Sequence, residues 1–131
     1  MSTGYVLLRR GVFSPAAGSG EQSPPASGAT ITIWESAANT NSAYSGTRWK
    51  RLILNIYSSH DSAANGVEFE ESADNTNWRD LTTYTYANSD GLTKYSIAVS
   101  APFIRVKYTN SANTLTAWEM SLLGDTCERA S

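Results

Sequence analysis

The stretch Ala101-Pro-Phe-Ile-Arg-Val-Lys-Tyr-Thr-Asn110 decides the fold. Ile104, Val106 and Tyr108 fall on one parity, Phe103, Arg105 and Lys107 on the other. Successive side chains of an extended chain point to opposite faces, so this spacing predicts a strand with one face in a core and one toward solvent. Beyond a polar turn, Thr114-Leu-Thr-Ala-Trp-Glu-Met-Ser-Leu-Leu123 repeats the pattern, with Trp118, Met120 and Leu122 opposing Ala117, Glu119 and Ser121. Upstream, Val67-Glu-Phe-Glu-Glu-Ser-Ala-Asp-Asn-Thr-Asn-Trp78 sets Val67 and Phe69 against Glu68 and Glu70, then breaks into residues that tolerate left-handed backbone and bond their own turn amides.

Working outward, strands are expected at Thr30–Trp34, Trp49–Ser58, Val67–Ser72, Arg79–Tyr86, Thr93–Val99, Phe103–Thr109 and Leu115–Leu122, joined by connections rich in Asn, Asp, Ser and Gly. In the second, Lys50, Leu52, Leu54 and Ile56 share one face, which is expected to bury the three apolar residues with Lys50 at the strand's open end; Trp49, Arg51, Ile53, Asn55 and Tyr57 share the other. No window carries a helical stripe of core length, and at most a single helical turn fits Ser36–Tyr44. The fold class is therefore all-β, an antiparallel β-sandwich, or an eight-strand jelly roll if the N-terminus adds a strand. A chain of 131 residues suits one such domain.

The first 29 residues differ in kind. Tyr5, Val6, Leu7, Leu8, Val12 and Phe13 make an apolar head with Arg9 and Arg10 within it, and a Gly/Ser/Pro/Ala-rich linker containing Pro24-Pro25 follows. This reads as an extended arm (1–29) ahead of the sandwich (30–123) and a polar tail (124–131). Docked on a neighbouring subunit, each apolar side chain of the head would contribute about 1.5–3 kcal/mol, and Arg9 and Arg10 would pair with acids there. The competing reading folds the arm back as an edge strand of its own sandwich.

Charge and motifs exclude several classes. Net charge is −2 and the charged fraction 17%, which favours neither nucleic acid nor an anionic membrane as partner. The cluster Arg48-Trp49-Lys50-Arg51 reads as a guarded strand edge. No run approaches the ~20 apolar residues of a membrane span. The N-terminus lacks the order of a signal peptide, so folding in the cytoplasm is expected. Cys127 is the only cysteine, which rules out an intrachain disulfide and a Cys-built zinc site. His60 is the only histidine, and Ser59 and Asp61 beside it in sequence cannot converge on one substrate as triad members do. With no nucleophile elbow, phosphate loop or metal-binding helix motif, the chain is expected to be no enzyme and to need no cofactor. Glu68, Glu70 and Glu71 read as a solvated face, pairing with Arg105 and Lys107; Asp74, Asn75, Asn77 and Asp80 read as turn residues rather than a calcium loop. Among the aromatics, Trp34, Trp49 and Trp78 are candidates for a surface that binds protein or sugar, with Tyr57, Tyr84 and Tyr86 behind them.

The Ser-Ala-Asp-Asn-Thr-Asn-Trp element (72–78), the Pro-Phe-Ile-Arg-Val-Lys-Tyr-Thr-Asn strand (102–110) and the Trp-containing last strand together resemble small β-sandwich structural proteins of tailed bacteriophage virions, over residues 47–123. Asn75-Thr76 stands where that pattern has Gly after the Asp, and sugar-binding discoidin-like sandwiches share a comparable Phe-Ile/Val-Arg-Val strand. The resemblance implies a capsid decoration or cement protein on the outer capsid surface. It would stabilise the shell by clamping the major capsid protein through an N-terminal extension, and assemble as a homo-oligomer, most simply a trimer. The alternative is a tail, fibre or baseplate module that binds glycan.

Overall fold

The computed structural model describes residues 5–36 and 49–126. Within them lie eight strands: β1 (Val6–Val12), β2 (Thr30–Glu35), β3 (Trp49–Ser58), β4 (Ser62–Ser72), β5 (Arg79–Tyr84), β6 (Thr93–Ala98), β7 (Phe103–Asn110) and β8 (Trp118–Thr126). They form two four-stranded sheets, β1-β8-β3-β6 and β2-β7-β4-β5, in which all neighbours run antiparallel. The protein is an all-β sandwich. Residues 37–44 of the expected helical turn, Arg48 and Cys127 lie outside the described residues.

The core is the layer that alternation selects. Leu52, Leu54 and Ile56 of β3, Val67 and Phe69 of β4, Ile104, Val106 and Tyr108 of β7, and Trp118, Met120 and Leu122 of β8 are all buried on the faces assigned from parity. Tyr86 locks the end of this layer. Its hydroxyl donates to the Gly91 carbonyl at 2.8 Å and accepts from the Ser58 amide at 3.1 Å, while its own amide donates to Ser62 Oγ at 2.9 Å. A buried phenol needs such partners, because a lost one costs its full desolvation.

Three expectations are corrected, each for a physical reason. Within the expected arm (1–29), the described residues 5–29 are not free. Val6–Val12 is the edge strand of the first sheet, paired with β8 from Val6↔Gly124 to Val12↔Glu119. Without it the backbone of β8 would be an open edge and the core would lose Val6 and Leu8, which pack against it. The linker is tied down as well. Gln22 exchanges backbone hydrogen bonds with Arg10 and Val12, at 2.8 and 3.2 Å, and Asn110 Nδ2 donates to the Ala26 carbonyl at 3.2 Å. The residues placed in a polar tail at 124 continue β8 through Thr126.

Two tryptophans assigned to the surface are in the core. The register of β3 against β8 shifts between Trp49 and Arg51, and that of β2 against β7 between Thr32 and Trp34. Each shift marks a β-bulge, and one extra residue reverses the face of everything beyond it. Lys50, expected at the strand's open end, is the extra residue and stands exposed, while Trp49 turns inward. Ile33 and Trp34 are consequently both buried. The two indoles meet edge to face at 5.8 Å.

Gly124 is the floor of this contact. A Cβ there would lie 2.7 Å from the Trp49 ring and 2.8 Å from Leu8 Cδ1. Gly124→Ala is therefore expected to destabilise the fold by about 1–3 kcal/mol, the range for overpacking a filled core. Chemical denaturation measures it, and a loss under ~0.5 kcal/mol would mean that the ring and Leu8 yield freely.

Candidate binding site at the β4–β5 turn

The turn from Ser72 to Trp78 is built by two side chains. Asp74 Oδ1 accepts from the amides of Thr76 and Asn77, at 2.9 and 2.8 Å, and from Ser72 Oγ at 3.0 Å, while Asp74 Oδ2 accepts from Asn77 Nδ2 at 2.8 Å. Ser72 Oγ accepts in turn from the amides of Asp74 and Asn75. Asn75 takes a φ of 62°, the left-handed region that Asn tolerates. The Asn77 amide, with that of Thr76, holds the Asp74 carboxyl well below the usual carboxylate range. A carboxylate that accepts four hydrogen bonds from its own turn is a turn device.

The outward face of the second sheet next to this turn is charged. Glu70 accepts a hydrogen bond from Arg105 Nε, with Lys107 Nζ at 3.7 Å. The Arg105 guanidinium sits 4.2 Å from the centre of the Trp78 ring, a cation–π contact that fixes the indole. Glu68, Glu70 and Asp80 bring carboxylate oxygens within 4.8 Å of one another. These are the ligand types a hard cation takes, but Arg105 and Lys107 already supply positive charge there. A hydrogen bond to Asp80, then burial, then the neighbouring carboxylates push Glu68 up to about 7.

Glu71 is the unusual member. It shares the parity of Val67 and Phe69, pairs with Ile104 in the register, and its side chain is only 8% exposed. Oε2 accepts from Arg79 Nε at 2.9 Å and lies 2.8 Å from Arg79 Nη2. Oε1 is buried and has no hydrogen-bond partner in the protein. Glu71, Asp74, Asn77, Trp78, Arg79 and Ala101 line a cleft of about 320 Å³ at this end of the sandwich.

Of the tryptophans singled out from sequence, Trp78 reaches this cleft and Trp34 and Trp49 do not; Glu71, Asp74 and Asn77, weighed there as a solvated face and turn residues, line it too. Glu70 pairs with Arg105 and Lys107 as expected. Tyr86 is fully buried, and Tyr84 packs on Tyr95 at 4.7 Å. The N-terminal residues lie along the first sheet. Tyr5, Leu7 and Phe13 are exposed, Val6, Leu8 and Val12 are half-buried, Arg9 bonds the Gly20 carbonyl and Gln22, and Arg10 lies 3.5 Å from Glu21. Ser59 Oγ lies 3.1 Å from His60 Nδ1, whereas Asp61 accepts from the Asn88 amide. Sequence reading missed Arg79 as the partner of Glu71 and the burial of Glu71, although parity with Val67 and Phe69 was the available signal.

No protein-family model matches the chain, and no curated protein matches it in sequence. Two solved structures share the fold. The PBSX exported protein XepA superposes with a TM-score of 0.63 at 12% identity over 97% of this chain. This chain spans 38% of the length of XepA. A mutant of CBM29-2, a family 29 carbohydrate binding module, superposes with a TM-score of 0.51 at 13% identity, over 95% of this chain and 93% of its own. Identities this low establish a shared β-sandwich and nothing finer. No helix among the described residues is long and apolar enough to cross a membrane.

The raised Glu68 carboxyl has a consequence for stability. Its ordinary value is 4.5 and its folded value about 7, so the folded state binds the proton more tightly than the unfolded chain does. That stabilisation is complete below the ordinary value and is lost as pH rises through about 7. The melting temperature is expected to fall between pH 5 and pH 8 at constant salt, and Glu68→Gln to flatten the decline. Equal slopes in the two proteins would show that the carboxyl is titrating as if in water.

Proposed function

We propose that this chain is a non-enzymatic structural protein of a virion surface: a decoration or cement protein that binds the outer face of major capsid subunits and stabilises the shell. The observation that carries the reading is an apolar row across the outward face of the first sheet. Register places Leu7 beside Leu123, and Leu123 beside Ile53. Leu7 is 53% exposed and Tyr5, next along the same edge, 43%. Ser121, Asn55 and Ser96 flank the row, and the charges on this face, Arg10, Arg51 and Lys94, stand around it rather than within it.

The role of the N-terminal segment changes accordingly. It grips its own sandwich through backbone pairing and offers its outward side chains to a capsid subunit, or to a second copy in a homo-oligomer. The phage-virion resemblance of residues 47–123 supports this assignment to the capsid exterior, and so does a fold shared with an exported protein of PBSX.

A second reading is favoured by the cleft at Trp78: a tail, fibre or baseplate module that binds glycan. The same fold in a carbohydrate binding module supports it.

Leu7→Glu tests the first reading without disturbing the core, since Leu7 is already exposed. Co-sedimentation with capsids of the same virus is expected to weaken at least tenfold, about 1.4 kcal/mol, with an unchanged melting temperature. Unaltered binding would remove this face from the interface, and failure of the parent protein to bind capsids would reject the capsid role. Deleting residues 1–13 is no substitute, because it strips a strand from the sheet.

A further inference from the structure

We infer that the open edge of β6 is a self-association surface, on which β6 of a second copy adds antiparallel and joins the first sheets of two molecules edge to edge. The edge strands of the sandwich differ in one respect. β1, β2 and β5 each carry a bulge. In β1 the register shifts between Leu7 and Arg9, in β2 between Thr32 and Trp34. In β5 Leu81 is the extra residue, between Thr82 opposite Phe69 and Asp80 opposite Glu70. A bulge twists an edge away from stray partners. β1 is covered further by Gln22, which bonds its outer side. β6 has no such guard. Its register with β3 runs unbroken from Arg51↔Ala98 to Ile56↔Thr93, and the strand holds no proline and a single charge, Lys94.

Backbone phase selects the partner. The Val99 amide donates to the Lys50 carbonyl at 2.9 Å. Alternate residues bond the same neighbour, so Thr93, Tyr95 and Ile97 turn their backbone groups to β3. Those of Lys94, Ser96 and Ala98 point outward, and among the described residues nothing bonds them. On a two-fold axis through Ser96, a second β6 pairs Ser96 with its counterpart and Lys94 with Ala98, each pair exchanging N–H···O bonds both ways. Every outward backbone group of the strand is then satisfied. On the core side the buried Tyr95 and Ile97 fall opposite one another, apolar on apolar. On the outer side Lys94 meets Ala98 and not its own copy, so like charges stay apart. A centre at Tyr95 or Ile97 leaves one outward residue opposite no residue of β6. The strand is thus self-complementary, a match that a second copy supplies by symmetry and a foreign strand only by its own sequence. Beneath it, Tyr84 of β5 packs on Tyr95 at 4.7 Å and is half-buried, so a second sandwich would cover its open side. The product is a dimer, where the phage-virion resemblance implies a trimer. Its axis, normal to the sheet, turns both rows from Leu7 to Ile53 to the same side, which would let two rows grip one surface. Dimerisation itself does not depend on that capsid role.

The test measures the mass of the full chain by analytical ultracentrifugation over a concentration series. Twice the mass of one chain is expected at high concentration, with dissociation on dilution. Hydrogen exchange at the amides of Lys94, Ser96 and Ala98 is expected to slow in step with dimer formation. Ser96→Pro removes the central donor at a position where the fold makes no backbone bond, and is expected to weaken the dimer about tenfold. The dilute variant should melt close to the parent. Two substitutions at an exposed position test the register and leave the backbone intact. Ala98→Lys sets like charges against Lys94 and is expected to raise Kd about threefold, whereas Ala98→Glu is expected to lower it about threefold. A single-chain mass at every concentration up to about 1 mM overturns the proposal. So does a trimer, or a dimer that neither Ser96→Pro nor Ala98→Lys weakens. If both Ala98 variants shift Kd in the same direction, the centre at Ser96 is wrong. Protection of the edge amides that appears only when capsids are added would give the edge to a capsid strand and overturn the second copy as its occupant.

Discussion

The edge-to-face contact between Trp34 and Trp49 holds the arrangement of this sandwich together. It joins the two sheets at one end, because Trp34 belongs to β2 and Trp49 to β3. Neither indole would be there without a bulge in its strand, since parity alone sends Trp49 to the side of Arg51 and Ile53. The contact also reaches the first strand. Gly124 of β8 has no side chain where Trp49 packs, and Leu8 of β1 closes on the same point. Four residues from four strands therefore interlock, and the N-terminal segment is one of the parts that closes the core.

That constraint limits where function can reside. With β1 committed to its own sheet, the N-terminal segment from residue 5 onward is not free to extend over a neighbour, and among the described residues binding falls to surfaces that the sandwich presents as built. Two stand out, and they belong to different sheets. One is the apolar row from Leu7 to Ile53 on the first sheet. The other is the charged and aromatic end of the second, where Glu70, Arg105 and Trp78 stack and the cleft opens. A flat apolar row suits a protein surface, whereas a small polar cleft suits a small ligand.

How much of this was legible in the sequence follows from which features are local. The inward faces of β3, β7 and β8 read directly, because alternation over six or more residues leaves one solution. The pairing of Glu70 with Arg105 and Lys107 read as well, but Glu70 is buried beneath those partners rather than on the solvated face expected of it. The bulges did not read. A bulge depends on the partner strand, and neither Lys50 nor Ile33 carries a mark that sets it apart. Strand β1 was ambiguous for another reason. Between Phe13 and Thr30 the chain looks like a linker, and only the tertiary contacts of Gln22 and Asn110 show it pinned. Glu71 was legible in part, since its parity with Val67 and Phe69 was plain, but its burial needed Arg79 from the next strand.

Glu71 is where local and global rules disagree most. Every other inward position of β4 from Val67 onward is filled by an apolar side chain, and a carboxylate there gains nothing from packing. A guanidinium that is 78% exposed answers half of its hydrogen-bonding capacity and none of the demand of Oε1. A methionine or leucine would serve the fold better at this point, since replacing a buried ion pair by apolar groups is commonly neutral or stabilising. Departures from local consistency of this kind concentrate at functional sites. The departure here is confined to the end of the sandwich, beside a turn that Asp74 and Ser72 make rigid. A rigid turn keeps Asn77, Trp78 and Arg79 fixed around Glu71, which lets an uncompensated acceptor persist where a softer loop would collapse onto it.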